Sequence, residues 1–459
     1  MNAKKLLKKL GFKINIDHKI EGITDNYKEV KKNYIYIGKE EYYLDAIKNG
    51  AKTIIIEDNI SSNEANIIYT ADYRNTLAKA LYYYNYNKIS KLKIIGVTGT
   101  NAKTTTSLAI YYYLKYINIP VMYIGSNGVY YNDIKIKTNN TTLGIIDLYK
   151  YLNLAYKNNI KYISMELSSI GIDQRRIHKI FFDILIFTNI TQDHLDYHKN
   201  IYNYRFSKMI PFIEQNKGFQ IINSDDSFYK EIIAHSKVKY YTYGINNNSD
   251  YKIDIINKSL NGSTFNVNNI NYHTNLIGAF NIYNLLPTII ISNKLFNNKK
   301  ISEFIFSLNM KEGRMNLYNI KNYNIIIDYA HTASSVSLVL SEISSLINSR
   351  LFIICGCGGN REKEKRSEIG KILSKYENVL LTTDNPRNEN PLDIINDINK
   401  DINPLPYIID RKEAIYYQLN KMNINDYLII LGKGNEDYME INNKRIHFND
   451  LEVVNEYFS

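Results

Sequence analysis

A chain of 459 residues, 44% of them hydrophobic, is too long for one core and long enough for two or three, which excludes a single small domain. The net charge of +11 is spread along the chain without a block of five or six like charges, so a basic protein attracting anionic metabolites is expected rather than one that binds nucleic acid. Cys355 and Cys357 are spaced wrongly for a zinc pair or a disulfide framework, and no run approaches the ~20 apolar residues of a membrane span, so a reducing cytoplasm and no membrane partner are expected.

At the start, Lys4, Lys5, Lys8 and Lys9 read as the solvated face of a first helix, with no apolar core of signal-peptide length. Residues 1–90 alternate strand-like runs at 33–37 and 52–57 with a helical pattern at 43–49, which predicts a small α/β domain. Residues 91–315 carry strand-like runs at 94–97, 162–165, 184–188 and 220–223 separated by helical stretches, the rhythm of a wound, mostly parallel sheet. Within them, residues 250–274, with Asn261-Gly262, read as β-hairpin material in or beside that sheet. Residues 316–459 repeat the βα rhythm, with strands expected at 324–327, 351–354, 378–381, 407–409 and 427–431. A second doubly wound domain is expected there.

Chemistry concentrates at the ends of these strands. The run Gly96-Val97-Thr98-Gly99-Thr100-Asn101-Ala102-Lys103-Thr104-Thr105-Thr106 joins a strand to a helix and reads as a phosphate cradle. Its backbone N–H groups can face phosphate oxygens, Lys103 adds positive charge and the Thr104 hydroxyl can ligate Mg²⁺. Ala102 stands where G-x-x-x-x-G-K-[ST] has its second glycine, and a positive φ there would make its Cβ a handicap to binding. Gly356-Cys357-Gly358-Gly359 has Arg361 in the last place of G-x-G-x-x-G, so it reads as a tight turn with site-facing side chains rather than a dinucleotide cradle. Glu166, in Met165-Glu166-Leu167-Ser168-Ser169, ends one strand, and a segment dense in His and Asp, residues 189–198, follows the next. A lone histidine is more often structural. Here a carboxylate, His194, His198 and a phosphate loop share one sheet edge, which points to a metal and ATP site.

These motifs, with Asn203-Tyr204-Arg205-Phe206-Ser207-Lys208, Gly313-Arg314-Met315, Asp328-Tyr329-Ala330-His331-Thr332 and Asp384-Asn385-Pro386-Arg387, stand in the order seen in Mur ligases, and the resemblance covers essentially the whole chain. It implies an α/β fold of three domains: a central P-loop parallel-sheet ATPase domain (91–315), a small N-terminal α/β domain binding the UDP-precursor (1–90) and a C-terminal Rossmann-like domain binding the amino acid (316–459). The activity implied is ATP-dependent addition of meso-diaminopimelate to UDP-N-acetylmuramoyl-L-alanyl-D-glutamate through an acyl-phosphate, in peptidoglycan precursor synthesis, by a cytoplasmic monomer. A sister ligase adding L-lysine or another diamino acid, and a P-loop protein that no longer ligates, are the alternatives.

Residue by residue, the resemblance implies ATP contacts from Gly99, Thr100, Asn101, Ala102, Lys103, Thr104, Thr105, Asn281 and Arg314. It implies Mg²⁺ ligation by Thr104, Glu166, His194 and a carbamylated Lys208, with Lys103, Glu166, His194 and Lys208 catalytic. Tyr27, Asn140, Thr141, Thr142, Ser168, Gln174 and Arg176 would hold the UDP-precursor. Arg361, Asp384, Asn385, Pro386, Arg387, Gly432 and Glu436 would hold the amino acid, Arg387 reading its distal carboxylate and Glu436 its distal ammonium. The chain departs from the family pattern at Tyr27 (serine), Ala102 (glycine), Ile170 (histidine), Ala333 (proline) and Asn435 (histidine).

Overall fold

The computed structural model describes residues 1–13, 17–246, 248–310, 315–361 and 363–459. Four strands, β1 (Gly22–Thr24), β2 (Tyr34–Ile37), β3 (Ala51–Ile56) and β4 (Asn66–Tyr69), form a parallel sheet in chain order. The first helix, Ala3–Leu10, buries Ala3, Leu6 and Leu7 and leaves all four of its lysines exposed. It ends at Gly11 in the left-handed region, a conformation that costs glycine little.

The largest sheet follows. Its strands are β5 (Lys93–Thr98), β6 (Val121–Gly125), β7 (Gly128–Tyr131), β8 (Ile134–Ile136), β9 (Tyr162–Leu167), β10 (Phe182–Phe187), β11 (Asn216–Asn223), β12 (Lys239–Gly244), β13 (Tyr251–Ser259), β14 (Gly262–Val267) and β15 (Ile270–Thr274). Their spatial order is β15-β14-β13-β12-β11-β10-β5-β9-β6-β7-β8, parallel from β13 to β6 and antiparallel at both margins. Successive residues of β5 serve opposite cores: Ile94 joins one apolar cluster, Ile95 and Val97 the other. Burial on both faces is why this run is apolar throughout. The chain leaves β5 toward β6 and later places β10 on the other side of β5, so the carboxyl end of β5 is a switch point, where open α/β sheets form their ligand crevices.

The third sheet, β16 (Asn316–Ile320), β17 (Tyr323–Asp328), β18 (Leu351–Cys355), β19 (Val379–Leu381) and β20 (Tyr427–Leu431), runs β16-β17-β20-β18-β19 and is parallel except for β16. A small hairpin, β21 (Tyr438–Ile441) with β22 (Lys444–His447), follows it.

Two local expectations change. Residues 407–409 make one bridge, Tyr407 with Leu381, and no strand, because Pro404 and Pro406 flank the approach and a proline cannot donate to a ladder. The 250–274 hairpins extend the main sheet as its edge, and the first turn is centred on Leu260-Asn261, since Gly262 already pairs with Ser259. Gly262 has φ +119, and a Cβ there would lie 2.0 Å from the Thr274 carbonyl oxygen. A glycine is required.

Candidate active site

Residues from the middle and last sheets line one cleft of about 630 Å³, including the 100–105 loop, Thr141, Glu166, Ser168, His194, Lys208, Asn281 and Arg361. The loop leaves β5 through Gly99, whose added Cβ would lie 1.9 Å from Thr188 Oγ1. It is pinned from residues 188–191: Asn101 N donates to Asn189 Oδ1 (2.9 Å), Thr188 Oγ1 to the Asn101 carbonyl (2.7 Å) and Thr191 N to Thr100 Oγ1 (2.9 Å). Ala102 adopts φ 72, the left-handed region, at the entry to helix Lys103–Tyr116. That helix N-terminus is a natural seat for anionic phosphate.

Lys103 Nζ donates to the Gly99 and Thr100 carbonyls (2.9 and 2.7 Å), folded over the loop at the position from which it can meet a phosphate. Lys208, on helix Ile201–Glu214, is 2% exposed and donates to the same Gly99 carbonyl at 2.7 Å, with its Nζ 4.8 Å from the centre of the Tyr204 ring. Burial, and then the neighbouring Lys103 charge, push its amine well below the usual lysine range. A neutral amine is the form that reacts with CO₂.

His194 lies at φ 54, its Nε2 3.5 Å from Asp193 Oδ2. Burial, assisted by the Lys365, Lys103 and Lys208 charges, lowers its pKa to about 4 despite Asp193, so the imidazole is neutral at pH 7 and keeps a lone pair. Burial pushes the Asp193 carboxyl up, but His194 and Lys365 more than reverse that and hold it low. Lys365, from helix Glu364–Leu373 beyond β18, pairs directly with Asp193 and so ties the last sheet to the middle one.

Glu166 is fully buried at the end of β9. Its Oε2 accepts from the Thr104 hydroxyl (2.9 Å) and the Ser126 hydroxyl (3.1 Å), and its Oε1 from Tyr123 (2.5 Å) and Ser126 N (3.0 Å). Burial and the adjacent carboxylate hold the Tyr123 phenol well above its ordinary pKa, so it acts as a donor. The hard oxygens of Thr104 and Glu166, in the cleft that His194 also lines, suit Mg²⁺. Among the described residues no three His, Cys, Asp or Glu side chains gather as a self-sufficient metal site. A cation here would draw its remaining ligands from phosphate and water, the usual habit of Mg²⁺.

Thr142, Ser168, Gln174 and Arg176 form one cluster. Thr142 Oγ1 donates to the Glu166 carbonyl (2.9 Å) and accepts from Ser168 N (2.8 Å), while Arg176 donates to the Thr142 carbonyl (2.8 Å) and to Gln174 Oε1 (2.7 and 3.0 Å). Thr141 joins through Ser126 at 3.0 Å, and Asn140 is exposed beside it. Tyr27 sits apart from the cleft lining, its ring stacked on Tyr42 at 4.7 Å and 16°. Asn281 is buried and donates to the Ile277 carbonyl (2.8 Å). Arg314 lies outside the described residues.

The C-terminal residues make a second knot. Arg387, at φ 52, donates to the Gly359 carbonyl (2.7 Å) and places Nε 3.4 Å from Glu440. Gly358 leaves room for that guanidinium, since a Cβ there would lie 2.9 Å from Arg387 Nη1, and the Pro386 carbonyl packs against Gly359. Asn385 donates to Glu436 Oε2 at 2.9 Å, and the buried Lys433 donates to the same oxygen at 3.1 Å. Gly432, at φ +107, abuts Asp384, whose carboxyl is pushed up by burial against the pull of Arg411 and Lys433. Arg361 lines both the main cleft and a smaller one of about 440 Å³ with Asn360 and Asp196.

Sequence reasoning missed Tyr123, Ser126, Lys365 and Lys433. A lysine inside Gly432-Lys433-Gly434, three residues before Glu436, was a readable signal for the last. The other three depend on pairings that no local pattern reveals.

Residues 97–292 match the Mur ligase middle domain and residues 313–434 the Mur ligase, glutamate ligase domain. The chain is 35% identical to UDP-N-acetylmuramoyl-L-alanyl-D-glutamate–2,6-diaminopimelate ligase of Clostridium perfringens over 99% of both chains, and 34% identical to the enzyme of that name from Aquifex aeolicus over 95% of this chain and 93% of the other. A solved structure of a ligase with the same name superposes with a TM-score of 0.71 at 29% identity, covering 97% of each chain. MurF ligase from Thermotoga maritima in complex with ADP shares the fold at 17% identity, with a TM-score of 0.61 over 89% of this chain and 93% of that one. With full-length identity at this level and the phosphate loop, Glu166, His194 and Lys208 drawn into one cleft, the chain belongs to the Mur ligase family.

Proposed function

We propose that the protein is an ATP-dependent ligase that joins meso-diaminopimelate to the D-glutamate carboxylate of UDP-N-acetylmuramoyl-L-alanyl-D-glutamate, in peptidoglycan precursor synthesis. A carboxylate is a poor electrophile. ATP transfers its γ-phosphoryl group to it, giving an acyl-phosphate and ADP; the amine then attacks the acyl carbon, phosphate leaves and the amine gives up a proton. Such transfer needs positioning and charge neutralisation more than covalent help.

The residues divide accordingly. The 99–105 loop, the helix N-terminus behind it and Lys103 hold the nucleotide phosphates, with Asn281 and, by the family pattern alone, Arg314 as further nucleotide contacts. Thr104, Glu166, His194 and a carbamylated Lys208 would hold Mg²⁺, which when bound neutralises phosphate charge. Burial and the Lys103 charge, which disfavour the ammonium form of Lys208, support carbamylation. Asn140, Thr141, Thr142, Ser168, Gln174 and Arg176 take the acceptor peptide, and the 1–90 domain takes the uridine end, with Tyr27 in place of the family's serine. Arg361, Asp384, Asn385, Pro386, Arg387, Gly432 and Glu436 receive the amino acid on the 316–459 domain.

One observation carries the reading: side chains scattered from Thr100 to Arg361 line a single cleft. Diaminopimelate differs from lysine by a distal carboxylate, and charge-assisted hydrogen bonds from a half-buried guanidinium to that group are worth about 1.5–3 kcal/mol. Arg387→Ala, assayed with both amino acids, is expected to lower kcat/KM for diaminopimelate at least tenfold and to change the lysine rate little. Equal losses would remove Arg387 as the reader of the distal carboxylate.

A further inference from the structure

Four neutral donors surround the Glu166 carboxylate, and they reach it from two sides. The hydroxyls of Thr104 and Ser126, which share Oε2, belong to residues lining the cleft. Tyr123 is not among the lining residues. It is fully buried on β6, its ring 5.1 Å from that of Tyr130 and 6.3 Å from that of Tyr111, and its hydroxyl meets Oε1 at 2.5 Å from within the protein. The main chain is shaped around this contact: a Cβ on Gly125 would lie 2.3 Å from the Tyr123 hydroxyl and 2.2 Å from Glu166 Oε1. Ser126 N adds a second, rigid donor to Oε1 at 3.0 Å.

A carboxylate offers about four lone-pair positions, and here all four are used. The two on Oε1 are held by a packed ring and a backbone amide, neither of which can turn aside. The two on Oε2 are held by small hydroxyls on the cleft wall, whose hydrogens can swing about the C–O bond to other acceptors, as Ser126 can to Thr141 Oγ1 at 3.0 Å. We propose that Tyr123 is a positioning residue: its phenol commits Oε1 to the protein and thereby leaves Oε2 as the one oxygen that Glu166 presents to a divalent cation. The proposal rests on the reading of Glu166 as a metal ligand. Partners behind a metal ligand typically contribute 10–100-fold to metal affinity.

Tyr123→Phe keeps the ring and deletes the oxygen. Mn²⁺ serves as the probe, its binding to the full-length protein with saturating ADP followed by electron paramagnetic resonance, with ADP affinity in chelator measured separately and Glu166→Gln as reference. The expected result is Mn²⁺ binding weakened about tenfold in Y123F, with metal-free ADP affinity unchanged within about twofold and a melting temperature within a few degrees of the parent. Y123F binding Mn²⁺ like the parent while E166Q binds it weakly overturns the positioning role and leaves the Glu166 reading standing. Parental binding in both variants overturns the Glu166 reading, and the proposal with it. Parallel loss of Mn²⁺ and metal-free ADP binding in Y123F identifies a structural tyrosine and also overturns the proposal.

Discussion

Ala102 holds a left-handed conformation at the turn that cradles phosphate, and a Cβ in that region costs roughly 1–2 kcal/mol. Ala102→Gly is therefore expected to raise stability by about 0.5–1 kcal/mol and to tighten ATP binding, read as a higher melting temperature both without and with nucleotide. A lower melting temperature would contradict this. The sequence locates the residue by its place in the motif, but its dihedral emerges only with Asn101 and Gly99 fixed against Thr188 and Asn189. His178 carries a second residue-scale prediction. Burial, with Lys179 and Arg175 nearby, lowers its pKa to about 4 from 6.5, while Nε2 faces Asn75 at 3.0 Å. As pH falls through the unfolded value the unfolded chain takes up the proton first, so the His178 contribution is whole above about 6.5 and is lost toward 4. Denaturation midpoints of the parent should drop more steeply between about pH 7 and about pH 5 than those of His178→Gln. Identical slopes would remove His178 as a contributor.

At the scale of elements, strands buried on both faces announce themselves. The runs that became β5, β9, β10, β17, β18 and β20 are apolar and bounded by polar or small residues, and each lies within about two residues of its expected limits. Residues 121–136 hide three strands because Tyr123, Tyr130 and Tyr131, all buried, read as ambiguous side chains. Residues 407–409 mislead in the opposite direction: an apolar run is visible and bonds to residues 381–383, but Pro406 has no N–H with which to extend the pairing past the Tyr407–Leu381 bridge. A long-range anchor escapes the sequence altogether. Arg411, fully buried, donates through Nε and Nη2 to Asp450 (2.7 and 2.8 Å) and through Nη2 to the Leu431 carbonyl (3.0 Å), tying the end of β20 to helices Arg411–Lys421 and Asp450–Phe458. Arg411→Met leaves the Asp450 charge buried without its partner and is expected to cost about 3–5 kcal/mol in denaturant unfolding. A loss below about 1 kcal/mol would refute that anchoring role.

For the whole molecule, the site exists only because the middle and last sheets meet. Asp193 pairs with Lys365, Lys137 with Asp437 at 2.6 Å, and Lys258 with Glu342 at 3.0 Å, while Glu342 also accepts from Ala279 N at 3.2 Å, at the start of the helix that carries Asn281. These partners are separated by tens to hundreds of residues, and no periodicity announces them. The ordered motifs gave away the chemistry of the site, and these contacts supply its assembly. The most direct test of the central claim is product analysis by mass spectrometry with purified protein, ATP, Mg²⁺, UDP-N-acetylmuramoyl-L-alanyl-D-glutamate and meso-diaminopimelate. The account predicts the tripeptide-bearing nucleotide and one phosphate released per amide formed, with neither appearing when either building block is withheld. ATP hydrolysis independent of both building blocks, with no amide formed, would contradict it.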